Sequence, residues 1–97
     1  MPAPRSDVER ILERVLGFQR EEGDHHRFHL EIGGKVIANT KTSHSHTTIG
    51  DPLLADMARQ IHVPSRFLKE LISGKQNRND YLAVLRRKGL LPPEPPA

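Results

Sequence analysis

The chain has no cysteine and no tryptophan, and aromatic side chains make up only 4% of its 97 residues. The absence of cysteine excludes disulfides, thiolate metal sites and cysteine nucleophiles. With so few aromatics, the core has to be built mainly from aliphatic side chains. No apolar run approaches the ~20 residues of a membrane-spanning helix, and the opening Met-Pro-Ala-Pro-Arg-Ser lacks the apolar stretch of a signal peptide. We therefore expect a cytoplasmic protein that does not bind membranes.

The length of the chain is enough for one domain with a modest core. We predict a single α+β domain over residues 1–91 and a disordered, proline-rich tail over residues 92–97. Charge is distributed unevenly: residues 1–51 hold seven Lys and Arg against eight Asp and Glu, whereas residues 52–91 hold eight against three. The basic second half is compatible with a phosphate-bearing partner, and equally with an ordinary solvated helical surface.

Four segments have the apolar spacing of amphipathic helices. Ser6-Asp7-Val8-Glu9 has the form of a capping box and would open the first of them. Glycine or proline follows each segment and can end it. The predicted helices begin at Ser6, Asp51, Ser65 and Asn79, and they end near Gly17, Pro64, Gly74 and Gly89.

Between the first two helices the spacing changes to that of β-strands. Residues 26, 28, 30 and 32 alternate with residues 25, 27, 29 and 31, which predicts a strand with Phe28, Leu30 and Ile32 on its buried face. Gly33-Gly34 predicts a hairpin turn. Residues 18–22 fit either a short strand or a loop. The returning strand would place four residues on one face: Val36, Ala38, Thr40 and Thr42.

Five of the six histidines fall between residues 25 and 46, in this strand-forming part of the chain. Histidine exchanges protons near neutral pH more readily than any other side chain. Pairing outward from the hairpin turn puts His25 opposite Thr42 and His44, so histidines that cluster in sequence should also cluster in space. His25 would share one face of its strand with Arg27 and His29.

This cluster supplies the groups that cut RNA without a metal or other cofactor. The RNA 2′-hydroxyl is the nucleophile, and the enzyme supplies a base, an acid and cations for the phosphate. We interpret His25 as the general acid/base, with His44 or His29 as the assisting acid. Arg27 and Lys41 would position the phosphate.

Two other interpretations of the histidines remain open. His44-Ser45-His46 could join His25 or His29 in a three-histidine metal site. No His-Glu-x-x-His motif supports such a site, and the carboxylates Asp24 and Asp51 fall in predicted turns. In the other interpretation, the histidines are only solvated surface residues of a structural or adaptor domain. We therefore predict no bound metal.

Residues 58–71 have the spacing of a helix-turn-helix unit, with apolar residues at Ala58, Val63, Leu68 and Leu71. The second helix would present Arg66, Lys69 and Lys75 to a nucleic acid. The turn position that glycine often occupies is His62 here. This segment gives an alternative function, a nucleic-acid-binding regulator without enzymatic activity.

Several short motifs of the chain form a family pattern. They begin with Gly17-Phe18 and Gly23-Asp24-His25-His26-Arg27-Phe28, and continue with the Gly33-Gly34 turn. Thr42-Ser43-His44, Leu53-Leu54, Arg59-Gln60-Ile61 and Phe67-Leu68 follow. Over residues 8–72 this pattern resembles the HicA-type (YcfA-like) toxins of bacterial toxin–antitoxin systems. Asp24 stands where the family has serine, and no proline precedes His44.

The resemblance implies a fold, an activity and a partner. The fold would be the α-β-β-β-α arrangement of double-stranded-RNA-binding domains, with an extra C-terminal helix. The activity would be metal-independent cleavage of messenger RNA, with His25 at the position of the catalytic histidine. A HicB-like antitoxin would cover the His25 face. The basic helical half, with Arg66, Lys69 and Lys75, would contact RNA or the antitoxin.

Overall fold

The computed structural model describes residues 2–23, 25–43 and 47–92, apart from the side chains of His25 and Ser43. The fold is α+β, as predicted, with four helices and two small antiparallel sheets. Residues 93–97 of the predicted tail lie outside the described part. In chain order the elements are β1 (Ala3–Pro4), α1 (Arg5–Arg10) with a π-helical turn (Ile11–Val15), β2 (Gln19–Glu21), β3 (His25–Ile32), β4 (Lys35–Ser43), β5 (Thr48–Ile49), α2 (Asp51–Gln60), α3 (Ser65–Ser73) and α4 (Arg78–Arg87).

The main sheet has three antiparallel strands in the order β2-β3-β4. Ile32 pairs with Lys35, so that Gly33 and Gly34 alone form the hairpin loop. Both have positive φ angles, 61° and 80°, which is the backbone of a type I′ turn. His25 pairs with Ser43, between the two partners that the sequence predicted. The short strands β1 and β5 pair separately and were not predicted.

A β-bulge interrupts the pairing of β3 with β4. Leu30 pairs with Ala38, but the next residue, Glu31, pairs with Val36, which leaves Ile37 as an extra residue in β4. Because of this extra residue, side chains of β4 on the hairpin side of the bulge point to the opposite face from the one that simple alternation predicts. Ala38, Thr40 and Thr42 share one face as predicted, and all three are buried. The prediction that Val36 lies on the same face is wrong, because Val36 is 49% exposed.

The core lies between the inner face of the main sheet and the helices, and it is largely aliphatic. The apolar stripes predicted for the helices supply most of it, including Leu12, Leu54, Leu68 and Leu85. The aromatic rings of Phe18 and Tyr81 approach each other at 6.3 Å between centroids. None of the described helices has the length and apolar character needed to cross a membrane.

Helix ends agree with the sequence better than helix starts do. Gly17, Gly74 and Gly89 follow helices and have positive φ angles. The predicted starts of two helices are wrong. The first helix begins at Arg5 without a capping box, because the Glu9 side chain points into the protein. The fourth helix is capped by Asn77 instead of Asn79. The Oδ1 atom of Asn77 accepts a hydrogen bond from the backbone N–H of Asp80 at 3.0 Å.

The turn between α2 and α3 is held from two sides. His62 has a left-handed backbone with a φ of 72°, which is rare for a residue with a side chain. Its Nε2–H donates to the carbonyl of Ile37, the bulge residue, at 3.0 Å. The Tyr81 hydroxyl donates to the Ile61 carbonyl at 3.0 Å, and burial raises the pKa of Tyr81, so this hydroxyl keeps its proton. The α2–turn–α3 unit is therefore fixed to both the sheet and α4.

Candidate nucleic-acid interface

Three of the residues predicted to handle RNA lie together on the outer face of the main sheet. Alternation along β3 directs Phe28 and Leu30 into the core and places Arg27 and His29 on the opposite side. Lys41 pairs directly with Arg27 across the β3–β4 ladder. These residues line a shallow depression of about 330 Å³, which we name the sheet depression. Its other polar lining residues are Glu21, Asn39, Thr40 and Gln60.

The sheet depression holds two cations and one carboxylate. Arg27 pairs with Lys41 on one side, where like charges destabilise a sheet, and with Glu21 on the other, where the charges are opposite. Neither side chain forms an ion pair or hydrogen bond with another residue in the described ranges. In contrast, Arg59 and Lys69 are paired with carboxylates elsewhere on the surface. A bound phosphate would remove the repulsion between the two cations and use their free donors.

His29 adds a proton-exchanging group beside these cations. Its side chain is only 17% exposed, and its Nδ1 lies 3.6 Å from Glu21 Oε1. In the ladder it pairs with Gln19 on one side and Asn39 on the other. The sheet depression therefore combines two unpaired cations with a histidine that a carboxylate faces.

The other predicted catalytic histidines cannot be placed in the same detail. His25 begins β3, two residues before Arg27, and its backbone pairs with Ser43. Its side chain and the whole of His44 lie outside the described part, and so do Asp24 and His46. Within the described part, no three His, Cys, Asp or Glu side chains form a group that could hold a metal. The roles of His25 and His44 stay predictions.

The remaining predicted cations lie on a different surface. Arg66, Lys69 and Lys75 line a depression of about 660 Å³ beside α3, together with Pro2 and Ala3. We name it the α3 depression, and it shares no lining residue with the sheet depression. Lys69 Nζ lies 3.1 Å from Asp51 Oδ1. The sequence-predicted RNA contacts thus divide into two separate basic surfaces.

A buried polar cluster beneath the outer face was missed by the sequence analysis. Thr42 Oγ1 donates to Glu9 Oε2 at 2.6 Å, and His26 Nδ1 lies 2.7 Å from the same oxygen. Glu9 and His26 are each 8% exposed and Thr42 is 1% exposed. Arg20 lies 3.7 Å from the other Glu9 oxygen and 2.8 Å from Glu22 Oε1. We name Glu9, His26, Thr42 and Arg20 the Glu9 cluster.

The Glu9 carboxyl is ionised in this cluster. Burial alone would raise the pKa of Glu9, but the hydrogen bonds from Thr42 and His26 and the charge of Arg20 outweigh burial and lower the pKa below its ordinary value. His26 and Thr42 pair with each other, next to the His25–Ser43 pair. The cluster therefore ties α1 to both strands at the point where His25 begins β3. The predicted alternation already put His26 and Thr42 on the inner face, where each needs a polar partner.

No protein-family model, curated protein or solved structure matches this chain. Its function must therefore be inferred from its own side chains and from the surfaces on which they lie.

Proposed function

We propose that this protein binds RNA on the outer face of its main sheet and cleaves it without a metal, as a HicA-like toxin would. The observation that supports this most strongly is the sheet depression. There, two cations without an ion-pair partner and a histidine lie beside one another, and the sequence alternation predicts His25 on the same face.

Each residue has a distinct part in the proposed reaction. Arg27 and Lys41 hold the non-bridging oxygens of the scissile phosphate and stabilise the charge that develops there. His25 accepts the proton of the 2′-hydroxyl as its oxygen attacks phosphorus. His29 or His44 donates a proton to the departing 5′-oxygen. The products are a 2′,3′-cyclic phosphate and a free 5′-hydroxyl, so no redox step or external nucleophile is required.

The test is cleavage of RNA by the purified protein in excess chelator. We expect the wild type to cleave, and His25→Ala to lower the rate by about 10²–10⁴-fold, the usual contribution of general acid–base catalysis. Lys41→Ala should weaken binding and slow cleavage. Lys35→Ala is its matched control, since it removes the same charge from the same strand outside the sheet depression.

Two results would contradict the proposal. One is the absence of cleavage by wild-type protein that is folded. The other is undiminished cleavage by His25→Ala. If the protein cleaves RNA but Lys35→Ala and Lys41→Ala lower the rate equally, the phosphate does not bind in the sheet depression.

A HicB-like antitoxin is the proposed regulatory partner, and it would act by covering the outer face. Such a partner should protect Lys41 from amine-reactive labelling while leaving Lys88, at the end of α4, accessible. Equal labelling of both lysines in a stable complex would exclude this mode of binding.

A second candidate function rests on the α2–turn–α3 unit. His62 takes the left-handed conformation that glycine often supplies in a helix-turn-helix turn, so its side chain does not disrupt the turn. Duplex DNA binding through α3 would survive His25→Ala and fail in an Arg66→Ala, Lys75→Ala double variant. This second function would be excluded if the protein has no affinity for duplex DNA and if the double variant binds RNA as tightly as the wild type does.

A further inference from the structure

Gln60, the last residue of α2, is held in one orientation at the rim of the sheet depression. Thr40 Oγ1 donates a hydrogen bond to Gln60 Oε1 at 2.7 Å. Thr40 is only 5% exposed, whereas Gln60 is exposed and lines the depression. The Gln60 side chain makes no other hydrogen bond with residues of the described ranges. Its NH₂ group is therefore the part of the amide that has no partner among the described residues.

This orientation changes what the amide can recognise. A free glutamine pairs with adenine in two places, because its oxygen accepts from N6 and its nitrogen donates to N7. In Gln60 the bond from Thr40 occupies one lone pair of the oxygen, so the two N–H donors are the part of the amide that has no partner among the described residues. A pair of donors fits guanine instead, whose O6 and N7 are neighbouring acceptors on one edge.

The neighbouring side chains favour the same base. Arg27 and Lys41 carry donors and no acceptor, and both are free of protein partners in the described part. Asn39 also lines the depression, but its amide has no hydrogen bond to a side chain or backbone group of the described residues, so it can adapt to any base edge. Gln60 is thus the amide in this depression whose donor side is predetermined.

We infer that the sheet depression prefers guanine next to the bound phosphate, with Gln60 as the specificity-determining residue and Thr40 as the residue that positions it. This inference rests on the proposed function, since it takes RNA as the ligand. It adds a base preference that is independent of whether the histidines cleave the bound strand.

The experiment measures dissociation constants by fluorescence anisotropy in excess chelator. The probes are short 2′-O-methyl oligoribonucleotides that are identical except for a central G, A, C or U, and the methyl group removes the nucleophile that cleavage needs. The wild type should bind the G probe on the order of tenfold more tightly than the A probe, within the range of a single good base contact.

Two variants should abolish this preference by opposite routes. Thr40→Val frees the Gln60 oxygen, so affinity for the A probe should rise toward that for the G probe. Gln60→Leu removes the donors, so affinity for the G probe should fall toward that for the A probe. Thr48→Val and Gln76→Leu make the same chemical changes away from the depression and should keep the wild-type preference.

Each unfavourable outcome has its own meaning. If the wild type binds all four probes equally, or prefers a base other than guanine, the inference is wrong while the proposed RNA binding stands. If folded wild-type protein binds none of the probes, the proposed function fails and the inference fails with it. If Thr40→Val retains its preference for guanine, the role of Thr40 is wrong. Circular dichroism checks that each variant is folded. If Thr40→Val unfolds, Gln60→Leu still tests the inference, because Gln60 is exposed and its replacement should not disturb the fold.

Discussion

Replacing Thr42 by valine should destabilise the protein much more than the same change at Thr40. Both threonines are buried on β4, and in both cases a hydroxyl is exchanged for a methyl group of similar size. Thr42 donates to the Glu9 carboxylate, which is buried, whereas Thr40 donates to the neutral and exposed Gln60. After the change, Gln60 can bond to water instead, but Glu9 has little access to it.

The difference in stability between the two variants follows from the charge of the group to which each threonine donates. A hydrogen bond to a charged group contributes about 1.5–3 kcal/mol, and a neutral one about 0.5–1.5 kcal/mol. We therefore expect Thr42→Val to lower the free energy of unfolding by about 2 kcal/mol, and Thr40→Val by at most ~1 kcal/mol. For a domain of this size, 1 kcal/mol corresponds to roughly 4–8 °C in Tm, so Thr42→Val should melt about 8–16 °C below the wild type.

The pH dependence gives an independent check of the same interaction. The pKa of Glu9 is lowered in the folded protein, so its contribution to stability is present above its ordinary pKa of 4.5 and is lost as the pH falls through the folded value. Urea unfolding followed by circular dichroism should show the deficit of Thr42→Val shrinking as the solution is acidified below pH 4.5. Two results would refute a hydrogen bond from Thr42 to an ionised Glu9. One is an equal loss of unfolding free energy in the two valine variants, and the other is a loss in Thr42→Val that does not change with pH.

Two further predictions concern the turn and the phosphate contact. His62→Ala should be about 1 kcal/mol less stable than His62→Gly, because both lose the bond to the Ile37 carbonyl but only alanine keeps a strained left-handed backbone; equal stabilities in urea unfolding would contradict the strain. Lys41→Ala should reduce the slope of log Kobs against log salt concentration for single-stranded RNA by about 0.7, the value for one phosphate contact. An unchanged slope, or an equal change in Lys35→Ala, would exclude Lys41 as a phosphate ligand.

Local signals in the sequence predicted the order of the elements well. The period-two alternation of β3, the glycine pair of the hairpin and the glycines after the helices each depend on a few neighbouring residues, and all agree with the structure. The predicted start of α4 at Asn79 is wrong, because the helix is capped by Asn77. Only Asn77 has a carboxylate three residues later, Asp80, and these two form the reciprocal capping box that fixes the start.

Features that depend on tertiary packing could not be predicted from local sequence signals. The bulge residue Ile37 accepts a hydrogen bond from His62, which lies 25 residues away in sequence, and nothing in the local pattern of Val36 indicates the bulge. The buried position of Glu9 reflects partners that lie 17 and 33 residues away in sequence. Arg27, His29 and Lys41 could be grouped from the hairpin alone, but Gln60 reaches the same depression only through the packing of α2 against β4.

The two buried threonines of β4 connect the interior of the protein to the proposed site. Lys41 lies between Thr40 and Thr42 in sequence, and alternation directs it to the outer face while they point inward. Thr42 ties its strand to α1 through Glu9, and Thr40 ties it to the end of α2 through Gln60. The strand that carries Lys41 is therefore held on both sides of that residue by hydroxyl bonds. This accounts for a polar inner face in the middle of an aliphatic core. Two apolar side chains could fill the space, but Gln60 would lose the donor that orients it, and Glu9 would keep only His26 and Arg20.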